Sequence, residues 1–171
     1  THPTYQYTSR RALNGPRYIE LMNRFFDDLE ARTGLKVVIA AHPKAEYSPE
    51  TFNHRPIIFY QTPALIEHCS LAFGHFTTAF INAILAKKPV AFPYYREMLR
   101  CGQKYITIAG MELGRLLNAP VVDLEHLKPF PVEVDQAAYD RFLERFIIDA
   151  NHPQENTEKL ILDFLRDYEQ G

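Results

Sequence analysis

The sequence predicts an α/β protein: a three-layer Rossmann-like domain with a mostly parallel sheet of about six strands and two closing helices at the C-terminal end. Three observations predict it. Short apolar runs without polar alternation recur from Val37 to Leu124, as strands covered on both faces do. Helical stretches lie between them, so strand and helix alternate as in βαβ units. Polar turns directly follow two of the runs, at the place where open α/β proteins bind ligands.

The elements follow in order. Residues 1 to 16 are polar and tyrosine-rich and end in Asn14-Gly15-Pro16, where Pro16 suits the first turn of a helix. From Arg17 to Arg32, Tyr18, Leu21, Met22, Phe25, Phe26 and Leu29 recur at helical spacing, and Gly34 is a natural stop. Strands are expected at Val37–Ala41, Ile57–Tyr60, Leu71–Gly74, Pro89–Phe92, Tyr105–Ala109 and Val121–Leu124. Helices are expected between them at Pro63–His68, Thr77–Lys87 and Met111–Asn118. The stretch Ala79–Ala86 leaves only Asn82 polar and reads as a helix buried nearly all round. After Lys128-Pro129-Phe130-Pro131 breaks the alternation, Asp135–Asp149 and Asn156–Glu169 read as the two closing helices.

Composition bounds the function. The 171 residues fit one domain, 1–171, able to bury a core. A hydrophobic share of 46% and a charged share of 23% are those of an ordinary globular chain. A formal charge of -2 argues against a nucleic-acid platform. No apolar run approaches bilayer length and no signal peptide is visible, so a cytoplasmic protein is expected. Cys69 and Cys101 form neither a metal spacing nor a disulfide framework. The seven histidines show no His-x-x-x-His or His-x-Glu pair, so no metal centre is indicated. Glycine-rich phosphate loops and the nucleophile elbow are both missing from the sequence.

The chemistry concentrates in the two turns. His42-Pro43-Lys44 follows the first strand, and Pro43 biases His42 toward an extended backbone that aims it past the sheet edge. Lys44 adds a cation, with a solvated surface charge as its alternative. His75-Phe76-Thr77-Thr78 follows the third strand. There Thr77 and Thr78 can cap the next helix, or join its free N–H groups in holding a phosphate. His75 beside them can contact a phosphate or a sugar hydroxyl; a buried structural histidine is the alternative. Thr62 repeats the strand-end geometry and is also explained by capping. Arg55 can bridge to an anion or form an ion pair, and Tyr94 can stack on a ligand ring or cover the core.

The segments VVIAAHPKAEY, from Val37, and FNHRPIIFYQTPALIEHCSLAFGHFTTAFINAILAKKPVAF, from Phe52, carry a family resemblance. The chain resembles the nucleotide-binding half of bacterial surface-polysaccharide glycosyltransferases of the GT-B type, in capsule or lipopolysaccharide biosynthesis. Bacterial sialyltransferases and polysialyltransferases share the scheme of a His-Pro motif and a later hydroxyl pair. The resemblance implies that His42, Pro43, Thr77 and Thr78 contact the phosphate or ribose of a nucleotide-sugar donor, CMP-linked by preference, with no further cofactor. It also implies a glycan acceptor as partner and leaves room for peripheral association with the inner membrane. The pair is Thr-Thr here where Ser-Ser or Ser-Thr is usual. The N-terminal half that carries the catalytic carboxylate in such enzymes does not fit in 171 residues. The chain, which starts at Thr1, is thus expected to be a C-terminal donor-binding domain, inactive alone. A sugar-nucleotide epimerase domain, a polyol-phosphate transferase domain and a non-catalytic nucleotide- or partner-binding half-domain are the alternatives.

Overall fold

A computed structural model describes residues 13–102 and 104–148. Helix α1 (Gly15–Thr33) forms where its sequence punctuates it. The Asn14 side chain accepts a hydrogen bond from the Arg17 N–H at 3.1 Å, and Pro16 stands in the first turn. At the other end Gly34, at φ 70°, donates its N–H to the Glu30 carbonyl, a left-handed cap that glycine adopts without a steric penalty. The helix buries Leu21, Met22, Phe25, Phe26 and Leu29, the stripe that the sequence shows.

Among the described residues, five strands follow in two parallel sheets. Strand β1 (Ile39–Ala41) pairs with β2 (Ile57–Phe59) in the register Ile39 to Ile57. Strand β3 (Ala72–Phe73) pairs with β4 (Val90–Tyr94), and β4 with β5 (Val121–Asp123). Helices α2 (Thr62–His68), α3 (Ala79–Leu85), α4 (Lys104–Leu117) and α5 (Gln136–Phe146) complete the described chain. The alternation of helix and parallel strand agrees with the α/β class.

The single sheet of about six strands does not form. The expected strand Tyr105–Ala109 is instead the first part of α4. Its β-branched, apolar composition suits a strand over five residues. The buried positions Thr107, Gly110, Leu113, Gly114 and Leu117 are spaced as one face of a helix across the longer stretch. Helical packing wins because Gly110 and Gly114 let that face approach β4 closely: a Cβ on either would lie 3.5 Å or less from the Phe92 ring.

The remaining strands also stay in two groups. In a parallel strand alternate residues aim their N–H and C=O groups at opposite edges. Ile39 donates to Pro56 in the β2 direction, and Ala72 and Gly74 donate to Pro89 and Ala91 in the β4 direction. Val38 and Ala40 on one side, and Leu71 and Phe73 on the other, therefore present theirs to edges that no described strand covers.

Helix α1 spans the break. Phe26 packs against Phe52, ahead of β2, at 6.2 Å and against Phe73 of β3 at 5.2 Å, and Phe25 meets Phe73 edge-on. This forms one core cluster; a second joins Phe80, Ala83 and Ile84 of α3 to Val90, Phe92, Leu113, Leu117, Tyr139 and Leu143. Of the two closing helices, α5 lies in the second cluster, capped by the Asp135 carboxylate on the Ala138 N–H and tied by the Tyr139 hydroxyl to the Lys88 carbonyl. The other, Asn156–Glu169, lies outside the described residues, as does most of the tyrosine-rich start. No described helix is long and apolar enough to cross a membrane.

Candidate functional site

A cavity of about 790 Å³ fills the break between β1 and β3. Both strands line it along their length, from Leu35 and His68 at the amino ends to His42 and His75 at the carboxyl ends. Its wall is mainly apolar, with Met22, Phe26, Ile39, Ile66, Phe73 and Phe80 among its members. Size and lining match those of a small-molecule pocket, for which ~300–1,000 Å³ is usual. The charged or chargeable side chains on it are Lys36, His42, His68, Cys69 and His75 besides the tyrosines; among the described residues no carboxylate lines it.

Five of the sequence-chosen residues meet here. His42, Pro43, Thr62, His75 and Thr77 all line the cavity, and they come from the turns after β1, β2 and β3. The first turn is built as Pro43 requires. The Ala45 N–H donates to the His42 carbonyl at 2.9 Å, closing a β-turn with proline at its second position. Inside this turn the exposed His42 ring accepts the Lys44 backbone N–H on Nδ1 at 3.1 Å. In the neutral ring the proton then belongs on Nε2, which makes that nitrogen a donor.

The second turn is organised differently. His75 Nε2 lies 2.9 Å from the Tyr18 hydroxyl, with the two rings 5.5 Å apart. Burial pushes its pKa down to about 4, only partly opposed by hydrogen bonding to the Pro93 backbone. The ring is accordingly uncharged at neutral pH. Thr77 and Thr78, read as a pair, separate. The Thr77 hydroxyl accepts the Ala79 N–H at 3.5 Å and lines the cavity. Thr78 is the N-cap residue of α3 by position, makes no side-chain cap bond and does not line the cavity. Thr62 opens α2 behind Gln61, which holds the N-cap position.

Lys44, Arg55 and Tyr94 stand apart from this group. Lys44 is exposed. Arg55 takes its ion-pair alternative: Nη2 meets Asp27 at 2.6 Å and Glu30 at 2.7 Å, with the guanidinium 5.3 Å above the Phe26 ring. The Arg55 hydrogen bond holds the Glu30 carboxyl below the ordinary carboxylate range. Tyr94 ends β4 opposite Asp123, and burial, with Asp123 and Glu125 nearby, raises its phenol pKa. That corner is acidic and offers little to an anion.

Tyr18 is the participant that the sequence reading missed. It was legible only as one more member of the α1 stripe, although a tyrosine in an apolar stripe needs a partner for its hydroxyl. His68 and Cys69, which line the opposite end, carried no signal beyond their place before a strand. Among the described residues no cluster of His, Cys, Asp and Glu is arranged to hold a metal ion. Comparison with protein-family models, with curated proteins and with solved structures yields no match.

Proposed function

We propose that this chain is the donor-nucleotide-binding domain of a bacterial surface-glycan glycosyltransferase, taking a CMP-sugar or related nucleotide-sugar. One observation carries the reading: residues that follow three parallel strands, His42, Thr62, His75 and Thr77, line a single cavity in the gap between two parallel sheets. Open α/β proteins bind nucleotides in crevices outside the carboxyl ends of their strands, and these residues stand at such ends. The bases and absent carboxylates of the described lining favour an anionic ligand over a cationic one. In a transfer reaction, donors fixed around the departing nucleotide would stabilise the charge developing on it. The catalytic base would come from outside this set of residues, so the chain alone binds and does not turn over.

Calorimetric titration with CMP, CDP and UDP tests this. One of them is expected to bind, and His42→Ala to weaken it. Silence from all three at millimolar concentration would sink the proposal. Thermal melts of wild type and variant separate lost binding from lost folding.

A further inference from the structure

Among the described residues, Asn53, His54, Tyr60, Lys87 and Asn118 hold a positive φ without being glycine. All but one of them close the end of a helical segment, namely the turn Pro49–Phe52, α3 or α4. A left-handed residue is the ordinary way to end such a segment. Tyr60, at φ 59°, ends a strand instead. It turns the chain from β2 into α2, with only Gln61 between it and the first helical residue. A glycine or an asparagine makes such a turn at little steric cost, whereas a bulky ring there leaves the backbone strained. Tyr60 is also the most exposed large apolar side chain among the described residues, at 77%. Tyrosine at this position therefore serves neither the backbone nor the core.

Its place in the fold supplies a reason. The pairing of Ala41 with Phe59 sets Tyr60 level with His42 at the carboxyl edge of β1 and β2. His42 lines the cavity, and so does Thr62, two residues beyond Tyr60. The exposed ring thus stands beside the cavity mouth. Backbone strain is retained where the residue that bears it has a function. An exposed flat ring offers a nucleobase a stacking surface, and every base has a face that stacking removes from water. We propose that Tyr60 is the stacking platform for the base of the bound nucleotide, which puts the base on the β2 side of the cavity mouth. The proposal rests on the nucleotide-binding reading above and names the residue that meets the base. Tyr60 is a specificity-determining residue in this arrangement: it separates a nucleotide from a sugar phosphate, and accepts cytosine and uracil alike.

The test is calorimetric titration of the whole chain with CMP, with UMP and with ribose phosphate, which keeps the sugar and the phosphate and lacks the base. Tyr60→Gly is expected to weaken both nucleotides by about 5- to 50-fold and to leave ribose phosphate within about twofold of wild type. The same variant releases the backbone strain, so its Tm should rise by about 2–4 °C. Weaker binding in a more stable protein is a pairing that a merely structural ring would not produce. Tyr60→Phe keeps the ring and should hold both nucleotides within about threefold of wild type. Unchanged nucleotide affinity in Tyr60→Gly would overturn the proposal, as would an equal loss of nucleotide and ribose phosphate. Phe76, half exposed on the cavity wall after β3, is the competing ring. A base-dependent loss in Phe76→Ala with none in Tyr60→Gly would move the base to the β3 side and overturn the assignment while leaving the nucleotide reading intact. A wild-type protein that binds no nucleotide removes that reading itself, and the platform with it.

Discussion

Four of the five residues of β4 are buried, whereas β1 and β2 together bury one of six, Ala41. The two sheets use the same parallel pairing, so pairing does not explain the difference. Coverage does. Around β4 and β5, helices α3, α4 and α5 close a cluster in which Ala83, Ile84, Leu117 and Tyr139 are at most 1% exposed. Around β1 the cover is thinner: Ile39 packs on the α1 cluster, α2 approaches from beside it, and the edge toward β3 is open to the cavity. A sheet packed on all sides has no room for a ligand. The sparse half keeps its polar strand ends accessible, and Phe26 of α1 limits the cost by holding both halves.

Removing that tie is the strongest way to break the comparison. Phe26→Ala empties a site that touches Phe52, Phe73 and the Arg55 guanidinium, and is expected to cost about 3–5 kcal/mol by urea denaturation. A cost below about 1 kcal/mol would mean that α1 does not couple the halves.

Acid should act next, and on the cavity half. His75 has a folded pKa of about 4 against 6.5 ordinarily, so the neutral form is preferred in the fold. Below pH 6.5 the unfolded chain takes up a proton that the folded chain refuses. This contribution is therefore complete above 6.5, declines as the pH falls and is gone at about 4. The shift sets a ceiling of about 3 kcal/mol, reduced because the ring is only partly shielded from water. Denaturation midpoints at pH 7.5 and 4.5 should differ more for wild type than for His75→Gln. Equal differences would show that His75 carries none of the pH response between these two values.

The smallest effects come from two glycines and should differ in sign. A Cβ on Gly114 would lie 2.7 Å from Val121 Cγ2 and 3.3 Å from the Ala119 carbonyl oxygen, so Gly114→Ala should destabilise by about 1–3 kcal/mol. A Cβ on Gly74, which lines the cavity, would meet only the Phe80 ring at 3.8 Å. Gly74→Ala should be neutral or stabilise by up to about 1 kcal/mol, through the unfolded chain. Thermal melts of the two variants side by side read the contrast between the packed half and the open one; equal losses would remove it.

What was legible in the sequence was local. Asn14, Pro16 and Gly34 mark α1, the apolar runs give five of the strands, and Asp135 opens α5, each through backbone chemistry confined to a few residues. Strand ends followed by polar turns likewise indicated His42, His75, Thr62 and Thr77 as neighbours of one edge. The stretch Tyr105–Ala109 misled because strand and helix compete over five β-branched and apolar residues, and the fit of Gly110 and Gly114 against β4 decides between them. The tertiary structure alone decided that the strands divide into two sheets, that Arg55 turns back to Asp27 and Glu30, and that Thr77 faces the cavity without Thr78. It also decided that Tyr18 meets His75 across 57 positions of sequence. The physical reason is range: capping and turn formation depend on residues a few positions apart, whereas burial, ion pairing and the direction of a hydrogen bond depend on which distant surfaces pack together.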